Sequence, residues 1–340
     1  MNTSTRTLIA GALLALMPAL SHASYADHDE ARAFIQDMAE RHGFEAESLR
    51  QQLSKAERID RVIRLIRPPS TPTDPEARSW ERYRGNFLTD QRIQGGVRFW
   101  RRYAETIEAA SREYNVPPEI IVSILGVETN YGSYTGNFEA VSALATLAFD
   151  YPPRADLFRR ELENLFLLAR EEGRDPFSYR GSYAGALGYP QFLPSSIRNY
   201  GVDFSGDGRI DFDSDPIDAI GSVANYFAEH GWRAGEPVAV QVHLPDGLDP
   251  QPLIDAGIEP SLQTSALTEM GVIPLFEDLR DDKVTLFNLP TPGQRTEYWL
   301  GYRNFYVITR YNRSSFYAMA VYELANAIRD SMPEQYVASE

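Results

Sequence analysis

Pro117-Pro118-Glu119-Ile120-Ile121-Val122-Ser123-Ile124-Leu125-Gly126-Val127-Glu128-Thr129-Asn130-Tyr131-Gly132 is the stretch from which the rest of the chain can be read. Two prolines suit the first turn of a helix, where the missing N–H costs nothing. At about 100° per residue, Ile120, Ile121, Ile124 and Leu125 share one arc. Glu128 falls in the middle of that arc, at the helix end. Burial disfavours a charged carboxylate and raises its pKa. A carboxylic acid still protonated near neutral pH can hand its proton to a leaving oxygen. Periodicity alone leaves a second reading open: a glutamate at a frayed helix end, facing water or an arginine.

Working outward, helical patterning covers Asp29 to Ile66, with Phe34, Ile35 and Met38 at helical spacing. Pro68 to Pro75 is a proline-rich loop or strap. Helical pattern resumes over Gln94–Tyr114 and Arg154–Glu172. Residues 176–215 are rich in Gly, Ser, Pro and Asp, with a short helix near Pro194. Pro216 to His230 is helical and ends at Gly231. Then the character changes. Val238–Leu244, Lys283–Leu289, Glu297–Leu300 and Phe305–Thr309 have the β-branched and aromatic content of short strands. Ser314 to Asp330 is a closing helix. No internal repeat is present. These patterns predict a mainly α (α+β) fold. The predicted organisation is a leader over 1–23, an N-terminal helical region over 24–95 that packs with the helix over 314–330, a core over 96–232 and a small β-containing section over 233–313.

The chain has 340 residues, a net charge of −15 and a pI near 4.9. Nucleic-acid binding normally needs a basic face, so an acidic chain argues against that partner. Met1–Arg6 carries one positive charge, Leu8–Leu20 is apolar, and Ser21-His22-Ala23 offers small residues at a cleavage site. This reads as a secretory signal peptide cut after Ala23; the other reading is an uncleaved anchor. Cysteine is absent. That excludes disulfides, thiolate metal sites, a cysteine nucleophile and a lipid-bearing cysteine after the leader. The expected product is a soluble periplasmic protein without stable membrane insertion.

Four motifs point to one family. They are Gly126-Val127-Glu128-Thr129-Asn130-Tyr131-Gly132, the run Gly181-Ser182-Tyr183-Ala184-Gly185-Ala186-Leu187-Gly188-Tyr189-Pro190-Gln191-Phe192-Leu193-Pro194-Ser195, Ala219-Ile220-Gly221-Ser222-Val223-Ala224-Asn225-Tyr226, and Phe305-Tyr306-Val307-Ile308-Thr309-Arg310-Tyr311-Asn312. Together they closely resemble the family B lytic murein transglycosylases, over about Asp29 to Arg329. The resemblance implies a lysozyme-like catalytic core within 96–232. It implies that Glu128 is the catalytic acid/base, and that Ser182 and Gln191 contact substrate beside it. It places Tyr226, Tyr311, Asn312 and Tyr83 along the cleft. The family has two adjacent arginines after a Tyr-Pro pair. Here Tyr151-Pro152-Pro153-Arg154 keeps only Arg154, so contact with a peptide or muramyl carboxylate rests on that one residue.

The implied substrate is the peptidoglycan glycan strand, cut between N-acetylmuramic acid and N-acetylglucosamine with a 1,6-anhydromuramyl end as product. Most glycosidases use two carboxylates, yet the motifs around Glu128 offer Asn130, Ser182 and Gln191 and no second acid. A single-acid site suits substrate-assisted chemistry. The rivals are a hydrolytic muramidase, for which Glu139 and Asp150 are the acids that follow the first motif, neither within a motif of its own, and a non-catalytic peptidoglycan- or calcium-binding module. Asp203, Ser205, Asp207 and Arg209 (through its carbonyl) occupy the first, third, fifth and seventh positions of an EF-hand-like loop, with Gly208 at the sixth. Ser214 stands where a bidentate glutamate belongs. In the family the closing carboxylate comes later, here Asp218, which gives a loop over 203–218. Oxygen donors make structural Ca2+ the expected ion, with no organic cofactor. Asp215 and Asp218 also suit a helix start, which is their alternative role. A monomer is expected, with proteins of wall synthesis or division as partners that the sequence does not specify.

Overall fold

The computed structural model describes residues 24–67, 78–276, 279–333 and 336. The leader over Met1–Ala23 and the Pro68–Pro75 strap lie outside these residues. The chain divides into two compact units, one ending at Arg58 and the other beginning at Ile59.

The first unit holds α1 (Asp29–His42) and α2 (Ala46–Leu53). Ala31, Phe34, Ile35 and Met38 form the buried stripe of α1, with Leu49 and Leu53 buried on α2. Glu45 caps α2 by accepting the Glu47 and Ser48 N–H groups.

The second unit opens with α3 (Asp60–Ile66), α4 (Trp80–Gly85), α5 (Asp90–Arg102) and α6 (Ala104–Tyr114). The single helix predicted over Gln94–Tyr114 is broken at Tyr103, whose φ of −115° and ψ of 28° leave the helical region. α7 (Pro118–Thr129) follows. The arc drawn for it from the sequence was too narrow. Every residue from Ile120 to Val127 is buried, as befits a helix enclosed on all sides. Each fully buried Ile or Leu is worth about 1.5–3 kcal/mol. β1 (Phe138–Glu139) leads into α8 (Ala140–Asp150), a second fully buried helix that had no clear signal in the sequence. α9 (Ala155–Glu172), β2 (Arg180–Gly181), α10 (Pro194–Tyr200) and α11 (Pro216–Glu229) complete the helical part. α8 packs on α9, and α11 on α6 and α7.

The late section holds β3 (Ala239–His243), α12 (Gln251–Asp255), β4 (Leu262–Gln263), α13 (Thr264–Glu269), β5 (Ile273–Pro274), β6 (Lys283–Leu289) and β7 (Glu297–Gly301). The strands form an antiparallel five-stranded sheet in the order β4-β6-β7-β3-β5. Leu300 pairs with both Val240 and Leu286. These residues share a core with Val242, Val284, Leu267 and Tyr302.

The strand predicted at Phe305–Thr309 is a helix, α14 (Arg303–Tyr311). Its apolar residues also satisfy helical spacing, and tertiary contacts decide between the two periods. Phe305 stacks on Phe287 with ring centroids 4.3 Å apart. Asn304, fully buried, accepts the Arg233 N–H and donates to the Arg233 and Glu236 carbonyls. α15 (Ser315–Asp330) closes the chain and lies along α7, with further contacts to α5, α14 and α4. Among the described residues no helix is long and apolar enough to cross a membrane.

Candidate active site

α7 ends at the site. Asn130 takes a left-handed conformation, and its N–H returns to the Gly126 carbonyl, so the helix stops just past Glu128. Tyr317, in the first turn of α15, donates its hydroxyl to Glu128 Oε1 at 2.5 Å. Packed atoms around the carboxyl desolvate it and push its pKa up to about 7, against a smaller downward pull from the Tyr317 hydrogen bond. The side chain nevertheless keeps part of its surface open. A half-open, half-desolvated acid of this pKa can both give and take a proton near neutrality.

Three tyrosines surround the carboxyl. The hydroxyls of Tyr83, Tyr311 and Tyr317 are all held above their usual pKa, first by burial and next by the Glu128 charge. Tyr83 sits in an aromatic wall with Trp80, Phe87 and Phe316. Tyr311 donates to the Pro190 carbonyl at 2.6 Å. Glu139 is committed elsewhere: its carboxylate caps α8 by accepting the Val141 and Ser142 N–H groups and the Ser142 hydroxyl.

The loop after β2 is stitched to the turn after α7. The Thr129 hydroxyl bonds the Tyr189 carbonyl at 2.9 Å and accepts the Gly132 N–H at 2.9 Å. Gln191, at a φ of 52°, donates from Nε2 to the Thr135 and Gly188 carbonyls, both at 2.9 Å. Among the described residues no donor reaches its Oε1. Ser182 Oγ accepts the Ala186 N–H at 3.1 Å, closing the Gly-rich turn. At Gly136, with a φ of 91°, an added Cβ would lie 2.2 Å from the Gly181 carbonyl oxygen. The two loops therefore approach more closely than any side chain would allow.

This constellation of one desolvated glutamate, a tyrosine on its oxygen and a Gly-rich loop bearing Ser182 and Gln191 coincides with a wider likeness. The family model described as "Transglycosylase SLT domain" matches residues 26–326. The chain belongs to that family. It is 44% identical over 313 residues to the membrane-bound lytic murein transglycosylase B of Escherichia coli, covering 89% of this chain and 84% of that one. Among solved structures, the catenated lytic transglycosylase SltB1 of Pseudomonas aeruginosa is 46% identical with a TM-score of 0.84, over 90% of this chain and 99% of that chain. The Escherichia coli lytic transglycosylase Slt35 in complex with calcium is 44% identical with a TM-score of 0.79, over 89% and 94%. With these relatives the chain is an enzyme of the lytic murein transglycosylase class, with a mainly helical, lysozyme-like fold and a small sheet.

Not every sequence-predicted residue of this transglycosylase stands at the glutamate. Tyr226 is buried, donates its hydroxyl to the Arg310 carbonyl at 2.7 Å, and packs on Tyr311 and Phe192, so it supports the wall from behind. Arg154 is exposed at the start of α9, its guanidinium 5.4 Å over the Phe158 ring. Asn312 is exposed at the end of α14. Tyr317 and Thr129 had no individual reading in the sequence. A lone hydroxyl at Tyr317 within the apolar run Phe316–Val321 was the available signal, because buried tyrosines generally find a partner.

In the 203–218 loop, Asp203 accepts the Gly206, Asp207 and Gly208 N–H groups. Gly208 has the φ of 91° that a sharp loop turn requires. Asp218, only 2% exposed, accepts the Ser205 and Asp211 N–H groups, both at 2.8 Å. Among the described residues no three His, Cys, Asp or Glu side chains gather into a metal cage. The donor chemistry is nonetheless all oxygen, with Ser205 and a backbone carbonyl in the set, which fits a hard cation. Asp215 has the alternative role read for it, since it caps α11 by accepting the Ile217 N–H.

Proposed function

We propose that this transglycosylase cuts the β-1,4 bond from N-acetylmuramic acid to N-acetylglucosamine in peptidoglycan strands, with Glu128 as its one acid/base. Glu128 protonates the bridging oxygen as the bond to muramyl C1 breaks. The substrate's own 2-acetamido carbonyl supports the positive charge at C1. The Glu128 carboxylate then takes the proton of the muramyl C6 hydroxyl, whose oxygen bonds to C1. The product is a 1,6-anhydromuramyl end, and no water is consumed. An internal hydroxyl held near C1 gains the advantage of proximity over solvent. The observation that carries this reading is the buried Glu128 carboxyl, pushed up to about 7 by desolvation and bonded by the Tyr317 hydroxyl. A hydrolytic muramidase needs a second carboxylate to hold water, and Glu139 is spent on a helix cap.

In this reading Ser182 and the free Oε1 of Gln191 bind the acetamido group and position the sugar. Tyr83, Tyr311 and Asn312 line the cleft, Tyr226 backs it, and Arg154 takes a carboxylate at its edge. The test is digestion of purified peptidoglycan by the wild-type enzyme and by Glu128→Gln, followed by mass spectrometry of the muropeptides. Muropeptides one water lighter than hydrolytic products are expected from the wild type. Their yield should fall by about a thousandfold or more in the variant, in line with loss of the acid and base steps. Products with reducing ends would instead establish a muramidase.

The Asp203–Asp218 loop is proposed as a structural calcium site in which Asp203, Ser205, Asp207, the Arg209 carbonyl and Asp218 hold the ion. The oxygen-only donors and the calcium complex of the 44% identical Slt35 support this. The enzyme is placed in the periplasm as a monomer, exported by the Met1–Ala23 segment. N-terminal sequencing of protein recovered from periplasmic extract should begin at Ser24, and a start at Met1 would refute cleavage.

A further inference from the structure

A recess of about 510 Å³ has Tyr83 as part of its wall and continues from the cleft. It is lined by Arg78, Arg82 and Arg313, by Ser314 and Ser315, and by the ring of Phe316. Three cations converging on one hollow stand out in a chain of net charge −15. Among the described residues neither Arg78 nor Arg313 has an acidic partner. The recorded interaction of Arg78 is with the Phe316 ring, at 5.7 Å.

The backbone adds to the same field. Ser314 and Ser315 are the N-cap and first residue of α15, a helix of 16 residues. The positive end of its dipole and its first N–H groups therefore face this hollow. Ser314 Oγ caps the helix by accepting the Tyr317 N–H at 3.3 Å. Tyr317 in turn bonds Glu128. The recess is thus less than one helical turn along the chain from the tyrosine on the candidate acid, and it shares the Tyr83–Phe316 wall with the cleft.

We propose that this recess binds the carboxylates of the peptide stem carried by a muramyl residue of the strand, through Arg82, Arg313, Arg78 and the start of α15. The inference rests on the peptidoglycan reading given above. A stem peptide leaves the sugar through the lactyl group and carries free carboxylates, while the glycan itself is uncharged there. Guanidinium groups match carboxylates with paired N–H donors, and a hollow of this size suits a short peptide segment.

The experiment compares kcat/KM of the wild type, Arg82→Gln and Arg313→Gln on three substrates. These are strands with intact stems, strands stripped of stems by an amidase, and strands whose stem carboxylates are converted to amides. The expected result is a loss of about tenfold on intact strands, the scale of one charge-assisted hydrogen bond. It should lie chiefly in KM and diminish with added salt, with little change on amidated strands, which carry no free stem carboxylate; stripped strands keep the lactyl carboxylate that the amidase frees and should show an intermediate loss. The amidated strands also report whether a variant is folded. An equal loss on all three substrates, or none on intact strands, overturns the proposal. If the wild type forms no anhydro ends on any substrate, it is the peptidoglycan reading that fails.

Discussion

At the scale of the residue, everything turns on how Glu128 titrates. With a pKa of about 7, the proton needed for leaving-group protonation is present below that pH and lost above it. The kcat/KM profile should accordingly fall tenfold per pH unit on its alkaline side, starting near pH 7. Tyr317 modulates the position of that limb. Its hydroxyl favours the carboxylate form, so removing it raises the Glu128 pKa further. Tyr317→Phe should move the alkaline limb up by about one pH unit and lower the plateau by roughly tenfold. A limb that stays put or moves down would show that the hydrogen bond does not tune the acid. The sequence offered Glu128 through its misplacement on an apolar arc, which is a local signal. The role of Tyr317 could not be assigned from its lone hydroxyl in an apolar run, because its partner lies 189 residues away in the chain. Tyr226 shows the opposite case: its motif is clear, yet its hydroxyl serves the Arg310 carbonyl.

At the scale of the element, the decisive joint is between the turn after α7 and the loop after β2. Thr129, Gln191 and the close pass of Gly136 over Gly181 hold Ser182 and Gln191 at a fixed place relative to Glu128. Gly136→Ala would bring a methyl group against a backbone carbonyl, at a φ that L-residues avoid. A destabilisation of about 2–4 kcal/mol is expected, read by urea unfolding, with a larger relative loss of activity than of folded protein. Retention of full activity would show that the joint is slack. Elements with strong β-forming content were legible: Lys283–Leu289 forms a strand with the predicted bounds. Phe305–Thr309 satisfied two periods at once, and contacts with Phe287 and the Arg233 backbone selected the helix. Ala140–Asp150 is buried all round, so it has no polar face from which a helical period can be read.

At the scale of the whole molecule, the proposed calcium loop and the last helix set the limits. An ion bound only to the folded form at a hundred times its Kd adds about 2.7 kcal/mol, which for a chain of this length is several degrees in Tm. Calcium should therefore raise Tm, a chelator should reverse the rise, and Asp218→Asn should abolish it. An equal rise in wild type and variant would dismiss the site. α15, meanwhile, is the last long element of the chain, yet it covers α7 and brings the hydroxyl that meets Glu128. During synthesis, which runs from the N-terminus, the acid of α7 emerges from the ribosome long before its tyrosine does. A nascent or C-terminally clipped chain carries the glutamate without the surroundings that give it its pKa. An enzyme that cuts wall glycan therefore gains its tuned acid only once α15 has folded onto α7.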